Sequence, residues 1–259
     1  MEKQKILNDY KKQEDKILLA QVLDKIEFSK QREKIEYTDF LDMYQIALVK
    51  TFLKKIEFEN YVLFGGFENA ERKMLCVFKE YYQPENSDFP MTCLTFSYRK
   101  ENKLTHRDFL GAIMALQIKR ETVGDIVIGD GTAQIAVSDS VGNVIKSDIR
   151  KIGSVGVKVS DECGTVLKKV QEFKEIKGTV ASLRLDGVLS LALNMSRSRT
   201  AGIIKGIGAE VNYFLKYDSS FNLSQGDIIS VKGFGKYRLE EISGITKKGR
   251  IHITLCKYC

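Results

Sequence analysis

Residues 196–206, SRSRTAGIIKG, carry side chains whose types and spacing could do chemistry on an anion. At 100° per residue, Arg199, Gly202 and Lys205 fall on one face of a helix, opposite Ala201, Ile203, Ile204 and Ile207. Arg197 would sit in the first turn, where a cation opposes the helix dipole. A glycine inside a helix costs about 1 kcal/mol against alanine, so Gly202 needs a reason. Arginines at a helix start with a glycine between exposed cations point to a phosphate backbone lying close against the helix. The competing reading is a solvated basic helix whose Gly202 packs against a neighbour.

That face needs a scaffold, and the flanking sequence predicts one. Leu185, Val188, Leu189, Ala192 and Leu193 recur at helical spacing and make one apolar stripe. Asn194-Met195 breaks the stripe, Ser196 is placed to cap the second helix, and Gly206 and Gly208 supply its stop. Further on, Gly233 and Gly235 allow a bend between strands over 228–232 and 236–242, with Lys232, Lys236 and Arg238 along the hairpin. A basic turn at 246–250 then leads into a last strand over 251–255.

Upstream, residues 1–29 read as a helix. Thr38 is placed to cap a second helix with Phe40, Leu41, Tyr44, Leu48, Phe52 and Leu53 inward. The runs YVLFGGF, RKMLCVFKEYY and MTCLTFSYR are β-branched and aromatic and open a middle block. Within it Thr105 caps a helix carrying Phe109, Leu110, Ile113 and Leu116. Strands over 126–128 and TAQIAV follow, then a helix in SVGNVIKSDIRKI and a strand in SVGVKVS. Strands alternating with two helices predict a small ferredoxin-like α+β sandwich. The expected organisation is a helical region over 1–58, the α+β domain over 59–167, a linker over 168–177 and a basic domain over 178–259.

Charge distribution supports that division. Of the net charge of +7, residues 178–259 carry 12 Lys and Arg against 6 Asp and Glu, a net of +6, leaving 29 against 28 for the first 177 residues. Excess positive charge confined to the last third is the electrostatic footprint of a nucleic-acid module. Residues 1–25 are charged throughout and lack the apolar core of a signal peptide, and no apolar run approaches a membrane span. A cytoplasmic chain is expected. The five cysteines have no framework spacing. Cys256 and Cys259 form a C-x-x-C without a second pair, and His106 and His252 stand alone, so free thiols and no metal or cofactor are expected.

With these pieces in place, the last third resembles the S-four-type RNA-binding domain, named after a small-subunit ribosomal protein. The resemblance is carried by Arg184-Leu185-Asp186, the run from Ser196 to Ala201, the turn and strand from Gly208 to Asn212, and Gly226-Asp227-Ile228-Ile229. The middle block, with LTHRDFLG at 104–111, Lys119-Arg120-Glu121 and Gly124-Asp125-Ile126, is similar to the YlmH family of bacterial proteins. It departs at Gln117, where relatives usually carry Gly. The resemblance implies a monomeric, ribosome-associated protein that binds structured RNA, ribosomal RNA of the large subunit or bound tRNA, through Arg184, Arg197, Arg199, Lys205, Asn212 and Lys216. Lys232, Lys236 and Arg238 extend that surface, and Arg107, Lys119 and Arg120 form a candidate second one. Arg184 and Asp186 could equally make a structural ion pair.

Enzymatic readings fail on spacing. His106-Arg107-Asp108 lacks the asparagine that a kinase catalytic loop needs five residues on, where Ile113 stands. Gly233-Phe234-Gly235 has Arg238 where a dinucleotide loop needs its third glycine. Arg184-Leu185-Asp186 matches the catalytic motif of pseudouridine synthases only in those three residues, because Leu189 and Leu191 replace the Thr and Gly that should follow. A non-catalytic protein is expected. The alternative is an adaptor whose middle domain holds a protein while the basic module tethers it to RNA.

Overall fold

The computed structural model describes residues 6–161, 167 and 173–258, so Cys163, Cys259 and the start of the expected linker, 168–172, lie outside the described residues. The chain is a mixed α and β protein that divides into two compact units, Met1–Lys169 and Val170–Cys259.

In the first unit, helix α1 (Gln13–Arg32) buries Leu19, Val22, Leu23 and Ile26 and packs on α2 (Met43–Lys55). The α2 cap is Asp42, not Thr38. Asp42 Oδ1 accepts from the Gln45 amide at 2.8 Å while Gln45 Oε1 accepts from the Asp42 amide at 2.9 Å, a reciprocal capping box. Thr38 is instead held extended beside strand β1 (Glu36–Tyr37), where its Oγ1 accepts from the Leu75 amide at 2.9 Å. Strands β2 (Tyr61–Phe64) and β3 (Met74–Val77) also depart from expectation. They pair with β1 in a separate three-stranded sheet of order β1-β3-β2 rather than joining the middle sandwich. All four β3 residues are buried, and α1 packs on both β1 and β3, so burial rather than sequence proximity chose the partners.

The middle block runs β4 (Met91–Ser97), α3 (His106–Met114), β5 (Val123–Gly129), β6 (Thr132–Ser138) and α4 (Asp139–Asp148). A short hairpin of β7 (Lys151–Ile152) and β8 (Val155–Gly156) precedes β9 (Lys158–Ser160). The sheet order is β5-β6-β4-β9, antiparallel throughout. Alternation along β4 and β6 sends Leu94, Phe96, Ile135 and Val137 to one face, against Phe109 and Ile113 of α3 and Ile145 of α4. The opposite face carries Met91, Cys93, Val127 and Ala136, and is covered by Phe40, Phe67, Met74 and Phe89. Gly124 makes that cover possible: a Cβ there would stand 2.6 Å from the Phe40 ring. The start of α3 is a capping box, with Asp108 accepting from the Thr105 amide at 2.8 Å and its hydroxyl at 2.6 Å. Gln117 beyond it has φ +58°, the left-handed conformation that glycine adopts at least cost.

The second unit is a six-stranded antiparallel sheet with two helices on one face. Its elements are β10 (Phe173–Val180), α5 (Leu185–Leu193), α6 (Arg197–Ile207), β11 (Ala209–Val211), β12 (Phe214–Lys216), β13 (Ile228–Val231), β14 (Gly235–Ile245) and β15 (Ile251–Tyr258), in sheet order β10-β15-β14-β13-β11-β12. Residues 173–177, read from sequence as linker, are strand. Their alternation is masked by charge at Lys174, Glu175 and Lys177, yet all pair with β15. Leu185, Val188, Leu189 and Ile204 from the helices share a core with Val211, Ile229, Leu239, Ile253 and Leu255. Asn212 and Tyr213, both at positive φ, make the two-residue turn between β11 and β12. Among the described residues no helix is long and apolar enough to cross a membrane.

Because Phe40 is fully buried between the N-terminal layer and the middle sheet, Phe40→Ala should destabilise the first unit by about 3–5 kcal/mol. Hydrogen exchange should accelerate in β4 and β6 and stay unchanged in β14 and β15. Equal protection in variant and parent would show that the layers are not coupled through this ring.

Candidate nucleic-acid interface

Asp186 lies in the first turn of α5, where the Leu185 and Asp186 amides donate to the Phe221 and Ser219 carbonyls at 2.8 and 3.0 Å. Asp186 is 4% exposed, and its carboxylate takes two arginines. Arg184 donates through Nη2 to Oδ2 at 3.1 Å, and Arg197 through Nη2 to Oδ1 at 2.9 Å. Burial disfavours the Asp186 anion, but the hydrogen bonds from Arg184 and Arg197 outweigh it, so its pKa lies below the ordinary carboxylate value. The Arg197 charge is thereby offset at the helix start, and the Asp186 carboxylate ties the first turns of α5 and α6 together. Arg184 and Arg197 remain 39% and 47% exposed, so each keeps donors at the surface.

Helix α6 begins as expected, Ser196 Oγ accepting from the Arg199 amide at 3.3 Å. Its outer face carries exposed Arg199 and Lys205 with Gly202 and Gly206 beside them. A Cβ at Gly202 or Gly206 would meet nothing within 4 Å, so neither glycine is explained by packing on a neighbour. Backbone is bare there, and an extended anion could approach it closely. Ile207, expected inward, is half-exposed, because Gly208 turns the chain into β11 at φ +81°.

The other expected cations divide sharply. Lys232 is exposed at the β13–β14 bend. Lys216 sits 5.0 Å above the Phe221 ring. Lys236 lies between the Tyr213 and Tyr258 rings at 5.1 and 4.8 Å. Arg238 pairs with Glu240 at 2.5 Å and stacks on Phe173 at 5.3 Å. Asn212 is committed to structure, donating to Asp227 at 2.8 Å and accepting from the Ile228 amide at 3.0 Å. Its role is to join the β11–β12 turn to the Gly226-Asp227 turn.

In the first unit Arg107 and Lys119 are exposed, whereas Arg120 is half-buried and donates to the Val123 carbonyl. Burial and the neighbouring Arg72 depress the Arg120 pKa. Arg72 in turn donates to the Val123 and Phe40 carbonyls at 3.0 and 2.9 Å, so the pair works as a tie between loops. Both arginines line a 1040 Å³ cleft beneath α1 that sequence reading did not anticipate, since its walls come from five separated segments. Among the described residues no group of His, Cys, Asp and Glu is arranged to hold a metal ion.

Residues 84–164 match the family model described as "Putative RNA-binding domain in YlmH". Over 245 residues, 94% of this chain and 95% of the relative, the sequence is 29% identical to the ribosome-associated protein quality control protein P2 of Bacillus subtilis. Both likenesses are to proteins of the YlmH kind. A solved structure, the cell division protein ylmH from Streptococcus pneumoniae, is 26% identical, and the match covers 58% of this chain and 92% of that one at a TM-score of 0.48. The family model falls on the middle block and not on the basic last third that charge alone singles out.

Asp186→Asn should cost about 2–3 kcal/mol at neutral pH, below the 3–5 of a fully buried pair because both guanidiniums reach solvent. A depressed folded-state pKa contributes stability that is present above the unfolded value near 4 and lost as pH falls through the lower folded value. Urea unfolding at pH 7 should therefore separate variant from parent, and at pH 3 the gap should narrow. A gap independent of pH would remove the carboxylate from the account. Arg199→Ala with Lys205→Ala should leave stability within about 0.5 kcal/mol.

Proposed function

We propose that this chain is a non-catalytic protein that binds structured RNA of the ribosome, gripping it chiefly through the outer face of α6. The observation that carries this reading is Gly202, a helix-interior glycine flanked by exposed Arg199 and Lys205 and facing open space. The outward donors of Arg184 and Arg197 and exposed Lys232 extend the same grip. Most such contacts go to phosphates and read shape rather than sequence.

The connectivity of each unit supports the finer assignments. A β-α-β-β-α-β run with sheet order β5-β6-β4-β9 suits a ferredoxin-like domain, and two helices followed by a β-hairpin suit an S-four-type module. RNA-recognition domains of the first kind stack bases on the open sheet face. Here that face is filled by Phe40, Phe67 and Phe89, so RNA on the middle block would use its helix side or loops, where Arg107 and Lys119 stand. The name of the Bacillus subtilis relative supports the ribosome, and the family description supports RNA, as the partners of this chain.

About five cations are available to phosphates, which predicts a log K against log salt slope of roughly −3 to −5 for the full chain on a structured ribosomal RNA fragment. Arg199→Ala with Lys205→Ala should flatten that slope by about 2 and shift the protein off ribosomal particles in a sucrose gradient at physiological salt. A slope near zero would overturn the electrostatic grip. Unchanged co-sedimentation of the double variant would favour the adaptor, with the middle block holding a protein.

A further inference from the structure

Beside the cationic face of α6 lies a patch of a different chemistry. Ile207, Leu215 and Tyr217 are 50%, 51% and 54% exposed; Leu215 and Tyr217 both lie against Gly208, where α6 passes into β11 and β12 returns beside it, and Ile207 is the residue before that glycine. Scattered single apolar residues on a surface need no explanation, but two seated on one glycine with a third next to it in the chain do. Gly208 is the centre of the arrangement. A Cβ there would fall 2.6 Å from Leu215 Cδ1 and 3.3 Å from Tyr217 Cε1, so both side chains are seated against bare backbone at φ +81°. Leu215 and Tyr217 stand two apart, the spacing that puts residues on one side of an extended segment. The Tyr217 ring is thus supported from below, while half of it stays open to solvent.

The charges around the patch say what could cover it. Lys205 is exposed in the last turn of α6, and Lys216 is drawn away onto Phe221. Asp218 turns its carboxylate onto the Ser220 amide and hydroxyl at 2.8 and 2.6 Å. Glu210, exposed and paired across from Leu215, keeps phosphate off the patch itself. An apolar surface edged by one carboxylate and beside a cationic helix face suits a neutral aromatic ring attached to a phosphate backbone.

We propose that Tyr217, seated on Gly208 and flanked by Leu215 and Ile207, is a stacking platform for one unpaired nucleobase of the RNA held along α6. The inference rests on the RNA-binding reading above and adds to it a preference for helices interrupted by an unpaired nucleotide. Base–aromatic stacking at such sites is worth enough to separate substrates by about tenfold.

The test uses full-length protein and two RNA hairpins, one fully paired and one with a single bulged 2-aminopurine. The parent should bind the bulged hairpin about tenfold more tightly and quench its fluorescence. Tyr217→Phe should retain preference and quenching, while Tyr217→Ala and Tyr217→Leu should lose both and keep their affinity for the paired hairpin. Equal binding of both hairpins by the parent overturns the stacking site and leaves the RNA reading standing. Retained preference in Tyr217→Leu also overturns it, because an aliphatic side chain cannot stack. Loss of ribosome co-sedimentation in Tyr217→Ala with unchanged binding to both hairpins would give the patch to a protein and overturn the proposal. Failure of the parent to bind either hairpin would instead sink the RNA reading itself.

Discussion

One buried carboxylate sets the geometry of the basic unit. Asp186 is nearly inaccessible, and a lone ion there would be strongly disfavoured. It is ionised because Arg184 and Arg197 reach it from two sides, and in doing so they fix where α5 and α6 begin relative to each other. The direction in which α6 presents its outer face follows from that junction. Arg184, which the sequence leaves open between ligand and ion pair, and Arg197, which it offers to a ligand, are therefore both structural first, with part of each side chain still exposed.

The cations of this unit consequently do two kinds of work. Lys236 and Arg238 are laid over aromatic rings, whereas Arg199, Lys205 and Lys232 stand exposed at the surface. Net charge sums both kinds. In the first unit the same distinction separates Arg107 and Lys119 from Arg120, whose guanidinium binds the Val123 carbonyl. There the sheet face that could have stacked bases is buried under phenylalanines from the N-terminal layer.

Local signals in the sequence located α3, α6 and the β13–β14 hairpin well, because Thr105, Ser196, Gly208 and Gly233 act within a few residues of themselves. Partnerships between distant segments were not legible. Thr38 and Asp42 are both plausible caps, and only the pairing of Glu36–Tyr37 with β3 decides between them. Strands β2 and β3 carry nothing in their composition that names their sheet. By sequence Arg197 only opposes the helix dipole, because its partner Asp186 lies one helix away. Ile207 fits the apolar stripe by spacing and misses the core because the helix ends there. The open space above Gly202 is likewise a tertiary fact, and the sequence offered only the question.

The central claim is that an anionic backbone lies directly on α6 at Gly202. Gly202→Leu tests it, because open space at this position means the fold should accept the side chain, and leucine should favour the helix by about 0.8 kcal/mol over glycine. Stability and RNA affinity, measured on the same preparation, should move in opposite directions. The account predicts a helix better protected from hydrogen exchange and RNA affinity at least tenfold weaker. Unchanged affinity in a stabilised Gly202→Leu protein would contradict it, since no backbone could then be lying where the leucine stands.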